Sequence, residues 1–286
     1  MRLSKYIVEY KESGRGKELA LHQAIRIAPK FSNALNSDVT IVRSNREAEK
    51  YIYYLIDPKK SKEKRRSRNT SNYYTLIMDN SPSWKEYPKR SESVICSINA
   101  SCGKNSPHIF RVFPKNGSKI GVCNDSDLWK SFRNLSYALS MNEINDVLNG
   151  LANIGMNTKK PSGRRKLLKK YDKDLSILKK AFKEFDKWYL SKKYKFEELV
   201  KEFNILWDGD WLIKTFERIL IGYNGDLYKH MVDKLDPGNN NFNLISTSNL
   251  KIGGGNKEAW TDGECLMVRC DELENFISLL YSSGQL

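Results

Sequence analysis

The period at which apolar residues recur changes several times along the chain, and each change marks an element. Residues 16–30 (GKELALHQAIRIAPK) read as a helix that ends before Pro29, whose ring cannot continue the hydrogen-bond ladder. Ser44 with Glu47 makes a capping box for a second helix through Tyr51 to Leu55, closed by Asp57-Pro58. Strand-like runs follow at 74–79 (YTLIMD), 93–98 (SVICSI), 108–113 (HIFRVF) and 119–123 (KIGVC), separated by turn residues at 80–82, 103–107 and 114–117. Ser140 and Glu143 form a further capping box opening a helix over 141–153. Beyond Pro161-Ser162-Gly163, the residues Leu168, Tyr171, Leu175, Leu178, Phe182, Phe185 and Tyr189 recur at three and four, which predicts a long amphipathic helix with an opposite face almost entirely of lysine and arginine. Shorter helices are expected at 196–206, 211–221 and 226–235, the last ended by Asp236-Pro237-Gly238. Strand character returns at 242–247 and 265–270, and 271–281 closes the chain as a helix.

Strands at both ends with helices between them predict an α+β fold. The β-rich domain is read as two pieces, 1–140 and 223–286, with a basic helical insertion at 141–222. The 286 residues suffice for a real core, and 40% apolar with 11% aromatic content predicts a globular chain.

Charge changes the picture more than composition does. The net charge is +15, and it is concentrated. Residues 59–68 (KKSKEKRRSR) carry seven basic residues and one acid, and residues 159–195 carry fifteen against four, so the rest of the chain is close to neutral. Blocks of this kind neutralise phosphates, so they point to a nucleic acid partner, RNA or single-stranded DNA. The residues expected to bind it are Lys59, Lys60, Arg65, Arg66 and Arg68 in the first block, and Arg164, Arg165, Lys166, Lys169 and Lys170 in the second. The competing explanation is a solvated lysine-rich surface. Few aromatics lie near the blocks, which argues against base reading, and no interfacial anchor accompanies them, which argues against a membrane.

Five cysteines form no CxxC pair and no zinc-like spacing, so a reducing compartment is expected. Residues 1–17 lack an apolar stretch long enough for a signal peptide, and no run of about 18 apolar residues occurs, so the expected location is the cytoplasm.

The chain has no P-loop, GxGxxG, GxSxG or HExxH motif, and its three histidines are widely spaced. Chemistry is therefore expected from carboxylates, hydroxyls and arginine. Residues 257–264 (KEAWTDGE) follow three glycines and run into the strand CLMVR, reading as a mobile loop that delivers carboxylates; a solvated hairpin with Trp260 folded onto the core is the simpler alternative. Arg90, Ser91 and Ser93 precede the strand VICSI, where a guanidinium beside hydroxyls is suited to phosphate. Asp125-Ser126-Asp127 and Asp208-Gly209-Asp210 match the Asp-x-Asp pattern of metal-dependent glycosyltransferases, although helix capping accounts for both.

The order of these pieces resembles the ADP-ribosyltransferases of the arginine–serine–glutamate type. YTLIMDN (74–80) stands where that family has its first strand, RSESVICS (90–97) resembles its serine strand, and EAWTDGECLMV (258–268) resembles its glutamate loop and following strand. The resemblance covers roughly 70–135 and 240–270 and implies a split β-sheet core. It implies an NAD-dependent enzyme of the glycosyltransferase class that takes NAD as substrate and needs no metal. Glu264 or Glu258 would be the catalytic carboxylate, and Asp262 would face the acceptor. Arg90 would hold the pyrophosphate with Ser91 among the cofactor-binding residues, Ser93 would orient the glutamate, and Tyr73, Tyr74 or Trp260 would stack on nicotinamide or cover it. Three arginines, Arg43, Arg90 and Arg111, compete for the role of the family's arginine. With the basic blocks, the implied acceptor is a nucleic acid, as suits a bacterial toxin, defence or phage protein with a neutralising protein partner. Two other functions fit the sequence: nucleic-acid binding without catalysis or with nuclease activity, and nucleotide-sugar glycosyl transfer using Asp125 and Asp127.

Overall fold

The structure, a computed structural model, describes residues 16–48, 50–60, 72–98, 102, 108–132, 170, 173–190 and 225–286. They divide into two compact units. The first takes the described residues within Met1–Arg68, Lys85–Ser131 and Asn241–Leu286; the second takes those within Asn69–Trp84 and Phe132–Asn240.

The first unit is built on one open antiparallel sheet of nine strands: β1 (Gly16–Leu19), β2 (Ile41–Ser44), β3 (Tyr53–Ile56), β4 (Val94–Ile98), β5 (Ile109–Pro114), β6 (Lys119–Val122), β7 (Asn243–Ser246), β8 (Lys257–Thr261) and β9 (Cys265–Arg269). Their order is β1-β3-β9-β5-β2-β4-β8-β6-β7. The fold is therefore α+β, as expected. Strands β4, β5, β6, β7 and β9 fall where the alternating and apolar runs placed them.

Period-two alternation sorts the core. Cys265 and Met267 of β9 join Ile41, Val94, Cys96, Phe110, Val112 and Ile120 on one side. Leu266 and Val268 join Tyr53, Phe113, Ala24, Phe31, Phe276 and Leu280 on the other. This second layer is supplied by α1 (Leu21–Ile27), the 3-10 turn Ala28–Phe31, α2 (Ser32–Leu35) and the C-terminal helix Leu273–Ser282. β9 is covered on both faces, which is why it reads as an unbroken apolar run.

Five expectations are corrected. Residues 16–19 are strand β1 and not the start of the first helix. Residues 53–56 are strand β3 and not helix: Tyr53 packs with one core layer while Tyr54 and Ile56 pack with the other, and β1 and β9 flank the strand. A short continuous apolar run suits either element, and here strand partners decide. The cap read at Ser44 belongs to its neighbour, because Asn45 Oδ1 accepts the Ala48 N–H at 3.3 Å and shapes only a 3-10 turn. Residues 73–80 form helix α3 (Tyr73–Asn80) and not the first strand, since Tyr73, Tyr74, Ile77 and Met78 are buried at helical spacing. Residues 257–261, read as a loop, are strand β8, held between β4 and β6.

The second unit contains α3 with the helices α5 (Leu175–Leu190) and α6 (Leu227–Lys234); the short α4 (Leu128–Ser131) belongs to the first unit, and the C-terminal helix Leu273–Ser282 is α7. On α5, Leu178 and Phe182 are buried while Lys179, Lys180, Lys183 and Lys187 are exposed, as the amphipathic pattern predicts. The helices expected at 141–153, 196–206 and 211–221 lie outside the described residues, as do most of the two basic blocks. No helix among the described residues is long and apolar enough to cross a membrane.

Cys102 and Cys270 form a disulfide, a departure from the all-thiol reading, and Cys96, Cys123 and Cys265 are free and buried.

Candidate active site

Strands β4 and β8 lie far apart in the sequence and side by side in the sheet, with Ser97 in register with Glu258, Cys96 with Ala259 and Ile95 with Trp260. The segment leading into β4 is a 3-10 turn, Arg90–Glu92. It brings the Arg90 guanidinium to the Glu258 carboxylate, with Nη2 2.5 Å from Oε1. The other oxygen, Oε2, accepts the N–H of Leu128 at the start of α4 at 3.3 Å. Asp127 Oδ1 accepts the Trp129 N–H at 2.8 Å, so this carboxylate serves the α4 terminus.

Arg90 is 5% exposed. Burial works against its charge, but the carboxylate of Glu258, aided by Asp127, outweighs that and leaves its pKa raised. The guanidinium also lies over the Trp260 ring, 5.5 Å from the centroid. Trp260 is fully buried: its indole N–H donates to Pro88 O at 2.9 Å, and Tyr87 and Phe242 pack on it at ring separations of 6.3 and 6.1 Å. Gly121 stands opposite Trp260 on β6, where any Cβ would collide with the ring. Beside the pair, burial and then the Glu258 charge push the Cys123 thiol well above its usual range.

The structure unites some of the expected site residues and separates others. Arg90 and Glu258 are in contact, and Ser97 lies next to them in register. Ser93 does not orient the glutamate: its hydroxyl donates to Lys89 O at 2.7 Å. Ser91 is buried in the same turn. Tyr74 lies in the other unit, buried and hydrogen-bonded to Tyr73. Asp262 and Glu264 flank Gly263 at the β8–β9 turn, four and six residues beyond Glu258. There Asp262 pairs with Lys59 at 3.0 Å and Glu264 with Lys115 at 3.7 Å. Lys60 pairs with Asp57, and Lys170 is exposed. Arg65, Arg66, Arg68, Arg164, Arg165, Lys166, Lys169 and Asp208-Gly209-Asp210 lie outside the described residues.

As a dinucleotide site this set fits in part. The Glu258 side chain is 16% exposed and reachable. Arg90 is engaged with Glu258, Trp260 is packed beneath Tyr87 and Phe242, and Tyr74 is buried. The approach of Arg90 to Glu258 and the position of Cys123 escaped sequence reading; the only signal for them is strand register, which no local motif carries. No protein-family model, curated protein or solved structure matches the chain.

Proposed function

We propose that this protein is an NAD-dependent ADP-ribosyltransferase acting on nucleic acid, with Glu258 as the catalytic carboxylate. The observation that supports the reading is the β4–β8 pairing: the serine strand and the glutamate strand of the resemblance are neighbours, and Arg90 from the first reaches Glu258 in the second. An ADP-ribosyltransferase-like core is the finer fold reading that goes with it. In ADP-ribosyl transfer the nicotinamide–ribose bond breaks, nicotinamide leaves with the bonding electrons, and the acceptor bonds to the sugar carbon. Glu258 would accept the hydrogen bond of the ribose 2′-hydroxyl and oppose the positive charge developing on the sugar, as carboxylates do in glycoside hydrolysis. Preorganised help of this kind is worth about 3–4 kcal/mol per group. Asp262 would face the acceptor, and the basic segments from Lys59 and in 159–195 would hold its phosphates. The setting we infer is the cytoplasm, as for a toxin, defence or phage protein with a neutralising partner.

A second reading, nucleic-acid binding without catalysis, is favoured by the engagement of Glu258 with Arg90, which suits a structural ion pair. Labelled NAD incubated in chelator with RNA, single-stranded DNA and lysate separates the two. Transfer that is lost in Glu258→Gln supports the enzyme; transfer lost only in Glu264→Gln moves the chemistry to the β8–β9 turn. Absence of both transfer and nicotinamide release, with RNA binding retained, leaves the second reading.

A further inference from the structure

A cleft of about 470 Å³ opens beside the β8–β9 turn, within the first unit. Three lysines from separate stretches of chain converge on it: Lys59 after β3, Lys85 ahead of the Arg90 turn, and Lys119 at the start of β6. Two carboxylates share the lining, Glu86, 2.7 Å from Lys119, and Asp262, 3.0 Å from Lys59. Lys85 is exposed and has no ion pair among the described residues. Its walls are the 116–118 and 262–263 turns, which abut so closely that a Cβ on Gly263 would strike the Ser118 hydroxyl. Like charges brought together from three places repel, and two carboxylates leave one positive charge over.

We propose that this cleft holds one backbone phosphate of a nucleic acid strand, gripped by Lys59, Lys85 and Lys119. The inference rests on the nucleic-acid acceptor of the preceding section and locates it on the protein. A phosphodiester carries the single negative charge that balances the lining. The cleft is open and polar, as a passing strand requires and a buried ligand does not. Lys59 is both a wall of the cleft and the first cation of the 59–68 basic block. Asp262 at the cleft stands four residues from Glu258, about 13 Å at strand rise, so a strand gripped here is within a few nucleotides of the carboxylate.

The test is fluorescence anisotropy of a labelled RNA 20-mer and a DNA 20-mer on the full chain without NAD, across a series of salt concentrations. Removing one single-strand phosphate contact lowers the slope of log K against log salt by about 0.7 in magnitude. Lys85→Gln/Lys119→Gln, at exposed positions, is expected to show that fall together with several-fold weaker binding. Glu86→Gln, which removes a competing carboxylate, is expected to tighten binding. Unchanged affinity and slope in the double variant overturn the proposal. So does loss of ADP-ribose binding with nucleic-acid binding intact, which assigns the cleft to the dinucleotide. Because no NAD is present, a lysine-dependent slope in a protein that transfers no label sustains the cleft while removing the reaction.

Discussion

Arg90 and Glu258 are 168 residues apart in the chain, yet a guanidinium nitrogen of one lies 2.5 Å from a carboxylate oxygen of the other. Arg90 is 5% and Glu258 16% exposed, so neither charge is freely solvated. Deleting one member of such a pair strands the other, at about 3–5 kcal/mol, whereas replacing both with apolar residues is close to neutral. Glu258→Ala is therefore expected to cost about 3 kcal/mol in urea unfolding, and Arg90→Met/Glu258→Met to recover much of it. Equal losses in the single and double variants would show that the ion pair does not organise this corner. Stability and label transfer should be read on the same variants, because Glu258→Gln keeps the shape and isolates the charge.

Gly121 should tolerate no side chain. Trp260 lies over it and is fixed by its hydrogen bond to Pro88 O. Overpacking of this kind costs about 1–3 kcal/mol. Gly121→Ala is expected to lower stability by that amount and to alter the near-ultraviolet circular dichroism of Trp260. Gly117→Ala should leave that spectrum alone, since nothing lies within 4 Å of its missing Cβ, and its positive φ of 82° confines the cost to the backbone.

The Cys102–Cys270 disulfide closes a loop of 168 residues. Bonds of that kind contribute about 2–4 kcal/mol, so dithiothreitol or Cys102→Ser should lower the melting temperature by several degrees. A purified protein unaffected by reductant would show that the bond does not form in solution. Cys96, Cys123 and Cys265 are buried, and burial raises the thiols of Cys123 and Cys265, so none should react with an alkylating reagent before unfolding.

Two groups of the second unit oppose each other in acid. Burial on α5, reinforced by Asp226, raises Asp186 to about 6, although its Oδ1 accepts the Leu227 N–H. Burial on α6, reinforced by Lys234, lowers His230 to about 4. Between pH 4 and 6 the folded state holds the Asp186 proton that the unfolded chain releases, so this group stabilises as pH falls. Across pH 4 to 6.5 the unfolded chain holds the His230 proton that the folded state refuses, so this group destabilises as pH falls. Thermal melts from pH 6.5 to 4 should show Asp186→Asn losing stability more steeply than the parent, and His230→Gln losing less. Parallel curves for all three would mean that neither group is perturbed.

Elements whose cause is local were legible in the chain itself. The runs that became β4, β5, β6, β7 and β9 alternate or are unbroken between turn residues, and α5, α6 and α7 carry apolar residues at helical spacing, with Asp226 capping α6 through the Lys229 N–H. The concentration of charge needs no structure either, because it is a count. Elements whose cause is remote were not legible. Residues 53–56 became a strand because β1 and β9 pair with them, and KEAWT became β8 because β4 and β6 do. Tyr73–Asn80 became a helix although its residues favour strands, since its buried positions match a helical face. The sequence already contained Arg90, Glu258, Lys85 and Lys119 as separate residues. Only the sheet decided that the first two meet and only its turns that the lysines share a cleft, because hydrophobic period is a property of neighbours in the chain, whereas an ion pair or a cleft is a property of neighbours in space.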